Sequence, residues 1–332
     1  MRVSVIVPVY NGGKYICKTL ATILCQDFSD YEILVVDDGS RDGTAEIVRE
    51  FFQNSSSPGV GTHVIRQKHS GTSVARNKGI ASAEGKYLYF FDADDLMKRG
   101  LLSKMYHKAE ETDADVVFCG FDRVSPDGGV LSFYDDSYDY LDNVSNGESA
   151  TVRMLRGEIR VWNGNAIYRA SGIVHNSLQY TPGCSFVQDG EFILKALVSA
   201  KRVACVRESL VNYVQREGSA SRKTGKKMFH AVGAMRRVRK YMESRDVSDE
   251  TLNLMDTRFI PTAYVAALDA VAISKDSTGE ISRILSSDVV RDSLKNSTPE
   301  TGLPLRRVLL LKYFPRLFFK YRSMRAKASG HN

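Results

Sequence analysis

Apolar residues recur along the first 120 positions in two alternating rhythms. Short runs dominated by apolar side chains have the length of buried strands: Val3–Pro8, Glu32–Val36, His63–Arg66, Tyr87–Phe91 and Asp115–Gly120. Between them, apolar residues return at helical spacing. Ile16, Leu20, Ile23 and Leu24 share one face within residues 13–25, and Ile47, Val48, Phe51 and Phe52 share one within Ala45–Phe52. Thr72–Ser82 and Leu101–Glu111 complete the series. Near-continuous apolar strands alternating with helices predict an α/β fold, with a Rossmann-like, mostly parallel sheet covered by helices on both faces.

Past residue 125 the rhythm changes. Residues 125–147 read as loop, 148–215 are mixed, and Lys226–Glu243 and Glu250–Ile273 carry the longest helical patterns. Pro299 and Pro304 mark a linker into a basic tail. The expected division is 1–125, 126–220, a helical region over 221–300, and a tail over 301–332.

Composition changes this picture in three ways. A chain of 332 residues has room for one large domain or two smaller ones. The net charge of +7 is concentrated: residues 301–332 hold eight Lys or Arg and no Asp or Glu, and the remainder sums to −1. A body without basic excess argues against a nucleic-acid groove. The five cysteines, Cys17, Cys25, Cys119, Cys184 and Cys205, are scattered without CxxC spacing. They suit free thiols in a reducing compartment better than a disulfide framework or zinc site. MRVSVIVPVYN lacks the length and cleavage site of a signal peptide. No apolar run approaches the roughly 20 residues of a membrane helix. A cytoplasmic protein is expected.

In the tail, Leu310, Phe314, Leu317, Phe318 and Tyr321 fall opposite Lys312, Arg316 and Lys320, with Pro315 interrupting the pattern. Two readings stand. A basic amphipathic segment would lie on an anionic membrane surface, peripheral at the inner face of the cell membrane. A helix docked on the protein would keep only a solvated basic face.

Candidate chemistry gathers at two strand ends. EILVV runs into Asp37-Asp38-Gly39-Ser40, and KYLYFF runs into Asp92-Ala93-Asp94-Asp95. Helices follow both, and acidic residues suit first helical turns. That accounts for one cluster better than for two at the same sheet edge, where ligands of open α/β sheets bind. Converging carboxylates raise one another's pKa unless a cation joins them. Mg²⁺ or Mn²⁺ with a diphosphate would supply that cation. The first strand is followed by Pro8-Val9-Tyr10-Asn11-Gly12-Gly13, which is neither GxGxxG nor GxxxxGK[ST]. A receiver-type acidic site would place its acidic pair on the first strand, whereas here it is on the second.

VSVIVPVYNGGKYICKTLATILCQ, YEILVVDDGSRDGT and SGTSVARNKGIASAEGKYLYFFDADD, in that order, resemble glycosyltransferase family 2, whose fold is GT-A. A later block, Phe186-Val187-Gln188-Asp189-Gly190-Glu191-Phe192, is similar to the family's acidic motif, with Gln188 where Glu is usual. The resemblance implies a metal-dependent, inverting transfer from a nucleotide-diphosphate sugar, UDP-linked, to a polysaccharide or lipid-linked glycan. It places Asp94 and Asp92 on the metal, and Asp92 with Ala93 against the nucleotide sugar. It places Asp38 on the base, Pro8, Val9 and Tyr10 against base and ribose, Arg76 near the nucleotide, and Asp189 as the base that takes the acceptor proton.

Other readings stay open at this level. Asp95 reads either as functional or as an N-cap before Leu96. Glu191 reads as a first-turn surface residue or an acceptor contact. Trp162 reads as acceptor platform or core, and His69 as a satisfied polar residue near the donor loop. A non-catalytic glycan-binding or scaffold protein is the alternative function. A nucleotidyltransferase would need a more basic phosphate loop than PVYNGGK.

Overall fold

The computed structural model describes residues 1–55, 59–216, 226–273, 287–295 and 313. The basic tail inferred from the sequence, Tyr313 apart, lies outside the described residues. The described chain forms two compact units. One comprises the described residues of 1–183 with 192–216, and the other comprises 184–191 with the described residues from 226 onward.

The first unit is built on a nine-stranded sheet. Its strands are β1 (Val3–Val9), β2 (Tyr31–Asp37), β3 (Val60–Arg66), β4 (Tyr87–Phe90), β5 (Leu96–Met97), β6 (Val116–Val124), β7 (Val130–Ser132), β8 (Ala166–Arg169) and β9 (Val203–Val214). The order is β3-β2-β1-β4-β8-β6-β9-β5, with β7 beside β6. The β3-β2-β1-β4 half is parallel, as the alternating pattern predicts. Beyond β4 the sheet is mixed: β8 runs antiparallel to both β4 and β6, while β6 and β9 are parallel. Every residue of β1, β2 and β4 is buried, which is why these segments read as unbroken apolar runs.

Helices α1 (Ile16–Leu24), α2 (Thr44–Asn54), α3 (Thr72–Ser82) and α4 (Leu101–Thr112) alternate with these strands. Ile16, Leu20 and Ile23 of α1 are fully buried, the face expected from their spacing. The chain steps outward from β1 to β3, then returns through α3 to place β4 on the other side of β1. The C-terminal ends of β1 and β4 therefore flank the point where strand order reverses, where a crevice opens in such sheets. The second half adds α5 (Gly147–Arg156) and α6 (Ala170–His175).

Helix α7 (Gln188–Ser199) begins in the second unit, which otherwise holds α8 (Phe229–Glu243), α9 (Asp249–Leu254), α10 (Ile260–Ile273) and α11 (Asp288–Lys295). Val232, Met235, Val238 and Met242 form the buried stripe of α8. The helical pattern over 250–273 is realised as α9 and α10 joined by a π-turn at Met255–Phe259. Pro261 explains the change of pitch, because it has no N–H to continue the α-helical ladder.

Candidate active site

The loop after β1 is fastened to the loop after β2. Asn11 adopts φ +50°, a conformation Asn tolerates better than most side chains. Its N–H donates to Ser40 Oγ (2.8 Å), Gly12 N–H donates to Thr44 Oγ1 (3.0 Å), and Asp38 N–H donates to Val9 O (2.9 Å). Asp37 is fully buried, accepts from Ser40 N–H at 3.1 Å and pairs with Arg66 at 3.3 Å, so it braces the loop.

Asp38 is also buried; its carboxylate accepts three hydrogen bonds and has His69 beside it, whose Nδ1 also lies 3.1 Å from the Asp38 carbonyl oxygen. Gln67 Nε2 and Ser70 N–H reach Oδ1, each at 2.8 Å. Gly71 N–H reaches Oδ2 at 2.8 Å, and His69 Nδ1 lies 2.9 Å from the same oxygen. The His69 ring stacks on Tyr10 with centroids 4.1 Å apart, and Tyr10 is 43% exposed. His69 thus belongs to this loop cluster, a link that its isolated position in the sequence did not reveal.

Gly71 precedes α3, which carries Arg76 to the second acidic cluster. Arg76 is buried and donates to Asp92 Oδ1 at 2.8 Å. Its guanidinium lies 5.1 Å from the centroid of the Tyr180 ring. The turn after β4 is pinned from α1: Thr19 Oγ1 bonds the carbonyls of Ala93 (2.9 Å) and Asp95 (2.8 Å). Burial, and then the Asp92 carboxylate, push the Asp94 carboxyl above the usual aspartate range, partly offset by Arg216. Asp95 is driven further up by burial, then by Asp92 and Asp94. It is 1% exposed; Oδ1 accepts from Val214 N–H at 2.9 Å and Oδ2 has no partner. The N-cap reading of Asp95 is therefore corrected. Leu96–Met97 is β5, paired with β9, and the next helix starts at Leu101.

Arg216, just past β9, is a site residue that the sequence did not single out. Nη2 donates to the Asp94 carbonyl at 3.0 Å, and the guanidinium carbon lies 3.7 Å from the Tyr15 ring centroid. Nε and Nη1 are buried without a partner. Tyr213 stands near the same carboxylates: burial, then Asp95, Asp92 and Asp94, raise its phenol pKa. Its ring lies 5.0 Å from that of Trp162, which packs on Phe121 at 5.6 Å and keeps a buried Nε1 without partner. Trp162 is thus largely core, with one edge on the Tyr213 side.

Asp189 sits in the first turn of α7, half-buried, and accepts from Gly190 N–H at 2.8 Å. Glu191, expected at the helix surface, is instead 1% exposed. Arg237 explains this, donating to both carboxylate oxygens at 2.9 and 2.6 Å.

Among the described residues, no three His, Cys, Asp or Glu side chains are placed to enclose a cation unaided. The donor set after β4 nonetheless fits a hard cation. Repelling, partly desolvated carboxylates favour one, and Mg²⁺ in particular needs only one or two protein carboxylates when phosphate oxygens and waters complete its shell. A separate cavity of about 580 Å³ lies between α4, residues 141–144 and β9. Its cations Lys104, Lys108 and Arg207 are paired with Glu208, Glu111 and Asp142. Among the described residues, no helix is long and apolar enough to cross a membrane.

The sheet with its strand-end acidic turns has counterparts among known proteins. The chain is 30% identical over 238 residues to the glycosyltransferase GlyA of Streptococcus pneumoniae, covering 70% of this chain but 33% of GlyA. It is 28% identical to the uncharacterized glycosyltransferase EpsJ of Bacillus subtilis, over 96% of both chains. Its fold superposes on Staphylococcus aureus TarS in complex with UDP-GlcNAc, with a TM-score of 0.72 and 21% identity over 99% of this chain and 91% of that one. A mannosyltransferase from Pyrobaculum calidifontis, in complex with GDP-Man and Mn²⁺, matches with a TM-score of 0.56 and 17% identity over 95% and 88%. Both structures share the GT-A architecture implied by the motifs. The family model for glycosyl transferase family 2 matches residues 4–171, which span β1 to α6 and include every strand-end carboxylate described above; the chain belongs to that family.

Proposed function

We propose that this glycosyltransferase moves a sugar from a UDP-linked donor to a hydroxyl of a polysaccharide or lipid-linked glycan, with inversion at the anomeric carbon. Residues 1–125 would supply the donor site, and 126–220 the acceptor contacts and the base. The observation that carries the reading is the turn after β4. Asp92, Asp94 and Asp95 crowd there, Arg76 and Arg216 flank them, and burial raises the carboxyls of Asp94 and Asp95.

Each residue then has a task. Pro8, Val9 and Tyr10 line the base and ribose, Tyr10 offering an exposed ring. Asp38 accepts from the base N–H on the side where His69 now lies, since that side chain is 55% exposed and easier to displace than the three donors bonded to the carboxylate. Asp92 and Ala93 meet the ribose, with Arg76 fixing the Asp92 carboxylate. The spare N–H groups of Arg216 suit the diphosphate, since a guanidinium fork matches phosphate oxygens. Mn²⁺ or Mg²⁺ on Asp94, with Asp92, would neutralise the charge that develops on the leaving diphosphate. In the transfer itself the bond from the anomeric carbon to the diphosphate oxygen breaks, and its electron pair leaves with UDP. The bond to the acceptor oxygen forms, and Asp189 takes the acceptor's proton.

The test is a panel of nucleotide sugars with Mn²⁺, with Mg²⁺ and with chelator, using wild type, Asp94→Asn and Asp189→Asn. Binding of one donor that needs the metal, is lost in Asp94→Asn and persists with only residual turnover in Asp189→Asn is the expected result. No binding of any nucleotide sugar would leave the scaffold reading in its place.

A further inference from the structure

Asp189 is held by its backbone more than by its own side chain. Its carboxylate takes one local N–H, from Gly190. The residue two positions earlier, Val187, has φ +58°, in the left-handed region. β-Branched residues enter that region only when their surroundings impose it, and such outliers concentrate at functional sites. Gly190 answers the same turn, because a Cβ there would meet Val187 Cγ1 at 2.9 Å.

Side chains of α8 hold the chain on either side of this turn. Before Asp189, Ser185 N–H donates to His230 Nδ1 at 3.1 Å, and the Cys184 thiol donates to Phe186 O at 3.3 Å. Behind it, Glu191 N–H closes the first turn onto Val187 O at 2.9 Å, and Arg237 grips the Glu191 carboxylate with both arms of its fork. The same guanidinium reaches Cys184 Sγ at 3.6 Å. One side chain of α8 therefore touches the chain on both sides of the strained residue and of Asp189. The pair is buried only at its carboxylate, Glu191 being 1% exposed and the Arg237 side chain 41%, so solvent screens its charge and its plainest effect is to fix the place of Glu191.

We infer that Arg237 is a positioning residue for the reaction. By clamping Glu191 and Cys184, it sets the left-handed turn at Val187 and so the direction of the Asp189 carboxylate. This rests on the reading of Asp189 as the base.

The test uses the full chain, with UDP as donor-site probe and UDP release from UDP-sugars, UDP-GlcNAc first, as turnover. Arg237→Met is expected to lower kcat by about 10²-fold, the scale of a misplaced catalytic group, with UDP affinity unchanged. Arg237→Lys keeps the charge without the fork and should fall between Arg237→Met and wild type. Placed on Asp189→Asn, Arg237→Met should cost nothing further, because it acts through Asp189. A purely structural role would not give that result. If Arg237→Met does not fold, Glu191→Gln, which keeps the shape and weakens the grip, should show the same kcat loss at unchanged UDP affinity. Normal kcat in the folded Arg237 or Glu191 variants, with Asp189→Asn reduced to residual turnover, overturns the inference and leaves the base reading standing. An equal loss from Arg237→Met in both backgrounds overturns it as well. A fully active Asp189→Asn overturns the base reading, and the positioning role falls with it.

Discussion

Arg216 brings a full positive charge to a turn that holds three carboxylates, yet spends only one N–H there, on the Asp94 carbonyl. Leaving Nε and Nη1 buried and unpaired is costly, so in the working complex an anion should meet them. Arg216→Met is expected to weaken UDP binding in the presence of Mn²⁺ by about 1.5–3 kcal/mol, roughly 10- to 100-fold in Kd. Arg216→Lys should recover only part of this, because a point charge cannot reproduce the fork. Calorimetric titration with UDP checks both. Wild-type affinity in both variants would mean that these donors do not face the phosphates. No motif announces Arg216: it lies 122 residues from Asp94, at the end of a stretch that the sequence leaves as mixed.

At the scale of elements, what could be read from the sequence follows locality. Strands β1, β2 and β4 are buried on both faces, so their apolar runs stand out; α1 and α3 appear close to where their spacing placed them. The acidic turns were legible because they interrupt apolar strands. β5 was not, since a two-residue strand has no period and depends on β9 for its pairing. The burial of Glu191 was equally hidden, because its partner lies 46 residues on. Helix α3 shows how packing sets function at this scale. A Cβ on Gly79 would sit 2.3 Å from Ile6 Cγ2, in the fully buried core of β1, so α3 lies as close to the sheet as glycine allows. Gly79→Ala gains about 1 kcal/mol of helix propensity but overpacks a rigid site, at a cost of about 1–3 kcal/mol. With so close a contact the upper end applies, and a fall in Tm of several degrees is expected by calorimetry. Because α3 also carries Arg76 to Asp92, UDP affinity should fall with it. Unchanged Tm and affinity together would show that α3 can move off β1 at no cost.

For the whole molecule, charge is unevenly distributed along the chain. The chain before residue 301 sums to −1, whereas residues 301–332 bring eight cations and no anions. Such a segment gains about 1 kcal/mol per Lys or Arg near an anionic surface, an attraction that salt screens. A lipid-linked acceptor would make that attachment useful, by holding the enzyme where its second substrate lies. Removing residues 301–332 is therefore expected to abolish co-sedimentation with vesicles containing phosphatidylglycerol, while UDP binding with Mn²⁺ stays as in the full chain. Raising the salt should release the full chain in the same way, and neutral vesicles should retain far less of it. If the full chain ignores anionic vesicles at low salt, the amphipathic pattern around Pro315 serves packing on the protein instead. Truncation would then be expected to lower Tm rather than change where the enzyme resides.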